Sequence, residues 1–399
     1  MMMKATTSSL ASLILQSSFV QLALQSASAF TTFQPTINSV HLQLSQARDA
    51  ESSSTCLSMA TWSDSRAVRD YQDFLSSGKQ EIELAKDNGA VIVQPAEGPN
   101  PLAHCLKEMG ADHCSDVVVT PAQDLPVTVG GQAEYPIYVT LPPTQLNDFL
   151  QNLRESYKER MDDFVFISGG MDYGNIEDVL KERGYCRDHM TQVLISGIRI
   201  APNGRPQDLS VNLGLDSQGE PKMANECAAC GKWSGAVAER LGRFQIPCAT
   251  DFYREWRRKM WERHVLDACF HLLGVVRDQQ PTTLADVAKY YDAEASDMVW
   301  EMSQLLRGWR AITLMFGFEE RIFGTAEMQG TEVQCTLSDE MYPYLWGNQV
   351  FLQSKMFCEY LTYAKQEKGC LPNTDIPERA DEDFKSRMRQ GNLRADGVI

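Results

Sequence analysis

Arg263, Asp267 and His271 stand at i, i+4 and i+8 within residues 256–276, a stretch whose remaining positions are mostly apolar. In a helix that spacing lines all three along one face. Their joint chemistry would be proton transfer beside an anion. An arginine keeps its charge at any physiological pH and grips a carboxylate or phosphate through paired bonds, and a histidine exchanges a proton near neutrality. Val265, Ala268, Cys269, Leu272, Leu273 and Val276 recur at three-to-four spacing on the other side. The pattern predicts a helix with one face in a core and the polar stripe in a groove or in solvent. A merely solvated stripe, with an i,i+4 ion pair of small energetic value, fits the same spacing.

The elements that must position these residues follow from periodicity. Apolar, β-branched runs at 89–93, 116–120, 136–140, 163–168, 191–200 and 209–214 predict strands, and 67–79, 102–109, 145–157 and 175–183 predict helices. Alternation of this kind predicts an α/β class built on a doubly wound, Rossmann-like parallel sheet, over residues 59–250. From Ser234 onward the pattern turns helical, with helices at 234–244 and 256–276. A long third helix opens on Thr283 as N-cap with Asp286 at N3, and its apolar stripe from Val287 through Leu306 predicts a buried Trp309. An all-helical C-terminal domain over 251–370 is expected, followed by a loosely held charged tail at 371–399.

The run Met260-Trp261-Glu262-Arg263-His264-Val265-Leu266-Asp267, continued to His271, resembles the opening of the helical domain in ketopantoate reductases, which belong with 6-phosphogluconate-dehydrogenase-like oxidoreductases. In that family a Trp precedes a catalytic Lys by two residues, and Asn residues follow the Lys by four and eight. Trp261 is kept here, and Arg263, Asp267 and His271 take the other three positions. The order of an α/β domain followed by helices is also similar, over about residues 89–317. The resemblance implies an NADP-dependent oxidoreductase acting on a small anionic 2-oxo or 2-hydroxy acid, with Arg263 anchoring the carboxylate and His271 exchanging the proton. Glu332, in Gly330-Thr331-Glu332-Val333, would match the family's late acidic residue. Gly98, Gly169 and Gly170 would stand in the two cofactor-binding turns.

Several positions depart from that pattern. Gly98 is alone where three glycines are expected, Glu97 would face a pyrophosphate, and Pro95, Pro99 and Pro101 remove amide donors from the loop that should supply them. Gly169 replaces the family's Asn, and a tight strand-to-helix turn needing positive φ explains Gly169 and Gly170 equally well. The alternative is therefore a catalytically silent protein that uses the same cleft to bind a metabolite or a plastid protein.

Residues 1–29 read as a signal peptide ending in Ser26-Ala-Ser-Ala29, and residues 30–58 form a Ser/Thr-rich, charge-poor stretch beginning with Phe30. The junction resembles the bipartite presequences of algae with secondary plastids, which implies a chloroplast-stromal destination. Secretion is the alternative. No segment offers the roughly 18 uninterrupted apolar residues of a membrane span. The chain carries 53 Asp and Glu against 37 Lys and Arg, a net charge of −16 that falls wholly after residue 58. That charge argues against a nucleic-acid partner. Eleven scattered cysteines do not read as a disulfide framework. Cys227-Ala-Ala-Cys230 has the spacing of a redox pair, but two cysteines packing as small apolar residues fit it as well, and they are expected to stay reduced. No metal is expected.

Overall fold

The computed structural model describes residues 84–376, apart from 99, 112–114, 186–189, 197, 201–204, 216–220 and 331. The expected leader segments, the 67–79 helix and all but the first residues of the charged tail lie outside the described residues.

Five short strands form the parallel part of the sheet: β1 (Val91–Val93), β2 (Val117–Val119), β3 (Ile137–Val139), β4 (Phe164–Ser168) and β5 (Thr191–Leu194), in the spatial order β2-β1-β3-β4-β5. Their sequences, such as Val-Ile-Val and Phe-Val-Phe-Ile-Ser, are β-branched and aromatic without polar alternation. Strands buried on both faces read this way. The run at 191–200, expected as one strand, stops at Leu194. It resumes as β6 (Ile198–Ile200), which pairs with β7 (Pro206–Asp208), and a second hairpin of β8 (Val211–Leu215) and β9 (Pro221–Ala224) follows.

The chain then re-enters the sheet as β10 (Cys227–Cys230), antiparallel to β5, with β11 (Cys248–Thr250) parallel to β10 at the edge. The doubly wound, mostly parallel sheet is as expected, and these two strands run opposite to the other five. The cause is the connection. Two hairpins leave the chain at the edge where β5 ended, whereas a return parallel to β5 would have required a crossover to the other edge.

Alternate residues of each strand enter opposite cores, so the sheet is doubly wound. Ile92, Val165, Ile167, Cys227 and Ala229 meet α1 (Pro101–Glu108) on one face, and a later helix, Ser234–Gly242, joins α1 there. Val91, Val93, Phe164 and Phe166 meet α2 (Pro143–Gln151) and α3 (Glu177–Glu182) on the other. With α4 assigned to Ser234–Gly242, the long helix α5 (Tyr253–Val275) continues that second face across β5 and β10, where Leu194, Ala228 and Cys230 join its core.

Around α5 pack α6 (Leu284–Tyr290), α7 (Asp292–Arg310), α8 (Phe318–Gln329) and α9 (Lys355–Lys368). Enclosed on all sides, α5 is buried continuously from His264 to Val275. The single helix expected from Thr283 is two. The capping box of Thr283 and Asp286 forms as read, but the helix breaks at Tyr291 and restarts with Asp292 and Glu294, acidic residues that suit a first turn. Trp309 is also corrected: it is 63% exposed. The helix passes beyond the core there and stops at the left-handed Ala311, Ile312 N–H turns back to Leu306 O, and Ile312 and Leu314 fill the space instead.

Candidate functional site

In an open α/β sheet a ligand sits beyond the carboxyl ends of the strands, where the strand order reverses. In this sheet that point lies between β1 and β3, with the loop 94–100 on one side and Thr140-Leu141-Pro142 on the other. The two sides are stitched together. The Thr140 N–H and Oγ1 both donate to Val93 O, at 3.0 and 2.8 Å. Thr140 O in turn accepts from Asn100 Nδ2 at 2.7 Å and from the Tyr173 hydroxyl at 3.3 Å. Burial pushes the Tyr173 phenol up to about 12, so it stays a donor. Further out, Gln145 Nε2 donates to Glu97 at 3.3 Å.

The amino end of α1, which would receive a pyrophosphate, is spent in the same way. Pro101 at the first helical position has no N–H, Leu102 N–H donates to the Asn100 side chain at 2.8 Å, and His104 N–H donates to Asn100 O. Of the first turn's amides, only that of Ala103 is not engaged in these bonds. Exposed Glu97 adds a negative charge beside the same loop. Gly98 has φ +150°, a conformation that favours glycine, and apart from its chain neighbours no described atom lies within 4 Å of where a Cβ would stand. These residues do not fit a dinucleotide.

Gly169 has φ +109°, and a Cβ on it would lie 2.8 Å from Leu194 Cδ1 and 3.0 Å from Ile195 O. Its N–H closes the turn onto Gly174 O, around the short helix Gly170–Tyr173. The packing of this turn against the end of β5 accounts for Gly169, and the left-handed φ of +66° accounts for Gly170.

The expected stripe on α5 is one continuous line, but it is enclosed. Arg263 Nε donates to Asp267 Oδ2 at 2.9 Å, its Nη2 stands 2.9 Å from Oδ1 as an ion pair, and its Nη1 donates to Asn225 Oδ1 at 2.6 Å. Asp267 and His271 are each 1% exposed, against the groove or solvent expected for them. His271 Nδ1 accepts from Thr336 N–H at 3.1 Å. Burial holds its imidazole down to about 4, with Arg263 pushing the same way and Asp267 opposing. It is a neutral hydrogen-bond acceptor, not a charged proton donor at neutral pH. Glu332 stands at the surface, paired with Arg199 of β6. The structure thus joins Arg263, Asp267 and His271, and it gives Glu332, Gly98 and the Gly169 turn other neighbours.

Two groups escaped the sequence reading. The seal of Asn100, Thr140 and Tyr173 was signalled in part by Asn100-Pro101, an N-cap followed by proline. Lys259, one turn before Arg263, lies between Asp251 at 2.9 Å and Glu226 at 3.3 Å, and it extends the stripe toward the start of α5. Its partners come from the ends of β10 and β11, too far apart in sequence to be paired by spacing.

A cleft of about 200 Å³ opens at the opposite edge of the sheet, lined by Lys86, Gln132, Glu134 and Trp233 near the amino ends of β1 and β3. Among the described residues no helix is long and apolar enough to cross a membrane, and no cluster of three metal-ligating side chains occurs.

No protein-family model and no curated protein matches the chain. Among solved structures it is similar to 2-dehydropantoate 2-reductase from Methylococcus capsulatus, at 13% identity over 77% of this chain and 97% of that one, with a TM-score of 0.39. It is also similar to a D-mandelate dehydrogenase in a ternary structure with NADH and anilino(oxo)acetate, at 11% identity over 77% and 99% of the two chains and a TM-score of 0.35. A third is 2-dehydropantoate 2-reductase from Porphyromonas gingivalis W83, at 8% identity over 77% and 99%, with a TM-score of 0.34. The order of parts in this chain, a mostly parallel sheet followed by helices that open on α5, is the order the ketopantoate reductase resemblance implies.

Proposed function

We propose that this chain keeps a reductase-like architecture without reductase chemistry, and that it is a catalytically silent plastid protein whose task is to bind a metabolite or a protein partner. The observation that carries this reading is the sealed switch point, where Asn100, Thr140 and Tyr173 close the space between β1 and β3 and Asn100 caps α1. The buried, neutral His271 supports it, because a proton-exchanging group must reach its substrate.

Titrating the protein with NADPH and NADP tests the reading directly. Dissociation constants weaker than roughly 100 μM are expected, less than about 5.5 kcal/mol of binding. A low-micromolar constant would sink the silent reading. A second reading, an NADP-dependent oxidoreductase of a small anionic 2-oxo or 2-hydroxy acid, is favoured by Arg263, whose side chain keeps 17% of its surface exposed beside Asn225. It requires tight nucleotide binding in that titration, and a rise in the apparent Michaelis constant in Arg263→Ala. The plastid destination rests on the pattern around Ala29 and Phe30. Residues 1–60 fused to a fluorescent protein in an alga with secondary plastids should reach the stroma, and secretion of the fusion would end that part of the proposal.

A further inference from the structure

The spacing of Cys227 and Cys230 suggests a redox pair, but a strand sends residues three apart to opposite faces. Cys227 packs in the core under α1 and α4, whereas Cys230 packs with α5 on the other side of the sheet. They cannot bridge without dismantling β10. The structure sets a different cysteine beside Cys227. In the parallel pairing of β10 with β11, Cys227 and Cys248 are direct register partners. Both side chains belong to the same face, since Cys248 packs against the core that contains Cys227. Both are thiols rather than half-cystines. Register partners on adjacent strands bring their Cα atoms within the roughly 4.4–6.8 Å that a disulfide spans.

We propose that Cys227 and Cys248 are a disulfide-forming pair that locks the edge strand β11 to β10 when the protein meets a disulfide oxidant such as oxidised glutathione. Cys248 is the point of entry, because it lies on the edge strand and is half-buried, whereas Cys227 is fully buried. The Cys248 sulfur, losing its proton, attacks one sulfur of the oxidant and expels a thiol. Cys227 sulfur, losing its own proton, then attacks the Cys248 sulfur and expels the second thiol. One S–S bond forms in the protein and one breaks in the oxidant, which takes up the two electrons and both protons. Burial pushes the Cys248 thiol well above its ordinary value, so the thiolate is scarce and the pair closes slowly. The bridge therefore responds to a sustained oxidising environment and not to a brief pulse. β11 leads through Asp251 directly into α5, so the bridge would fix the base of the helix that carries Lys259 and Arg263.

The test exposes the full chain, under native conditions, to oxidised glutathione for increasing times, then blocks remaining thiols and digests with trypsin. The expected product joins the peptide 223–232 to the peptide 244–254, with fragment ions placing the link at Cys227. The oxidised protein should melt higher than the reduced one. Cys230→Ser should keep both effects and Cys248→Ser should lose both. Recovery of Cys227 and Cys248 as blocked thiols after prolonged exposure overturns the proposal, and so does a link through Cys230. The mapping uses the unaltered protein, so it holds even if a variant fails to fold.

Discussion

The two edges of the sheet solve opposite problems. At the carboxyl edge, where this architecture ordinarily takes its ligand, the groups facing one another are neutral: Asn100, Thr140 and Tyr173, joined through a carbonyl. At the amino edge the chain buries charge. Arg240, fully enclosed, bonds Asp87 at 2.8 and 3.0 Å, Asp116 at 2.9 and 3.0 Å, and Leu106 O at the end of α1. Arg243 also reaches Asp87, and Asp116 accepts from Ala90 N–H at the start of β1. Lys232 and Arg160 converge on Asp163 beside β4 in a second group. Charge has gone into holding strand ends and helix ends together. The place where charge could have served a ligand has been filled with amides and hydroxyls.

If the amino edge is structural, its removal should be the costliest single substitution. Arg240→Met leaves the buried Asp116 carboxylate without its arginine and Asp87 with Arg243, and the stability measured by urea unfolding should fall by about 3–5 kcal/mol. An unchanged midpoint would reduce the amino-edge ions to spectators and erase the contrast.

Acid should act through α5 before either edge. Burial holds His264 down to about 3, with Arg310 adding to the effect and Glu177 opposing it, and it holds His271 down to about 4, against an ordinary 6.5. Below pH 6.5 the unfolded chain binds protons that the folded chain refuses, so stability should drop by about 1.4 kcal/mol per pH unit for each histidine down to about pH 4. Asp87, held below its usual value of 3.8 by Arg240 and Arg243 against the opposing effect of burial, adds its loss only at lower pH still. His264→Phe should remove about half of the slope between pH 6.5 and 4. A slope that survives this change would place the sensitive groups elsewhere.

At the carboxyl edge the effect should be smaller. Asn100→Ala removes the cap of α1 and one bond to Thr140, a loss of about 1 kcal/mol in the same unfolding measurement. Nucleotide should still bind weakly, because Glu97 and Pro101 remain. Tight binding of NADPH by this variant would mean that the seal alone keeps the cofactor out. Smallest of all, Trp309→Ala should change stability by less than about 0.5 kcal/mol, as expected for an exposed side chain. A larger loss by thermal melting would return Trp309 to the core.

Most of the architecture was legible in short-range patterns. Strands from 91 to 194, the capping box at Thr283 and the helix bearing Trp261 all declare themselves through neighbours within about eight residues. What was not legible depends on distant pairing. The reversal of β10 follows from two hairpins, whose effect on direction no local pattern states. Trp309 continues the stripe in sequence, but the stripe outruns the core it faces. His271 lies where spacing puts it, yet its enclosure comes from residue 336 on another segment. Cys248 stands far from any other cysteine along the chain and directly beside Cys227 in the sheet, a neighbour that the C-x-x-C spacing could not reveal.

Along its first half α5 is lashed down at successive turns. Trp261 Nε1 and Arg257 bond Glu177, Lys259 spans Glu226 and Asp251, Glu262 takes Arg321, and Arg263 reaches Asn225. From the far end of α7, Arg310 adds a tie to Asp178. Any swing of the helices away from the sheet would stretch all of these contacts at once, whereas a hinge works only where few contacts resist. Among the described residues, this helix is a spine where an opening and closing enzyme would have a joint, and the sheet should carry the helices packed on it through every motion without shearing against them.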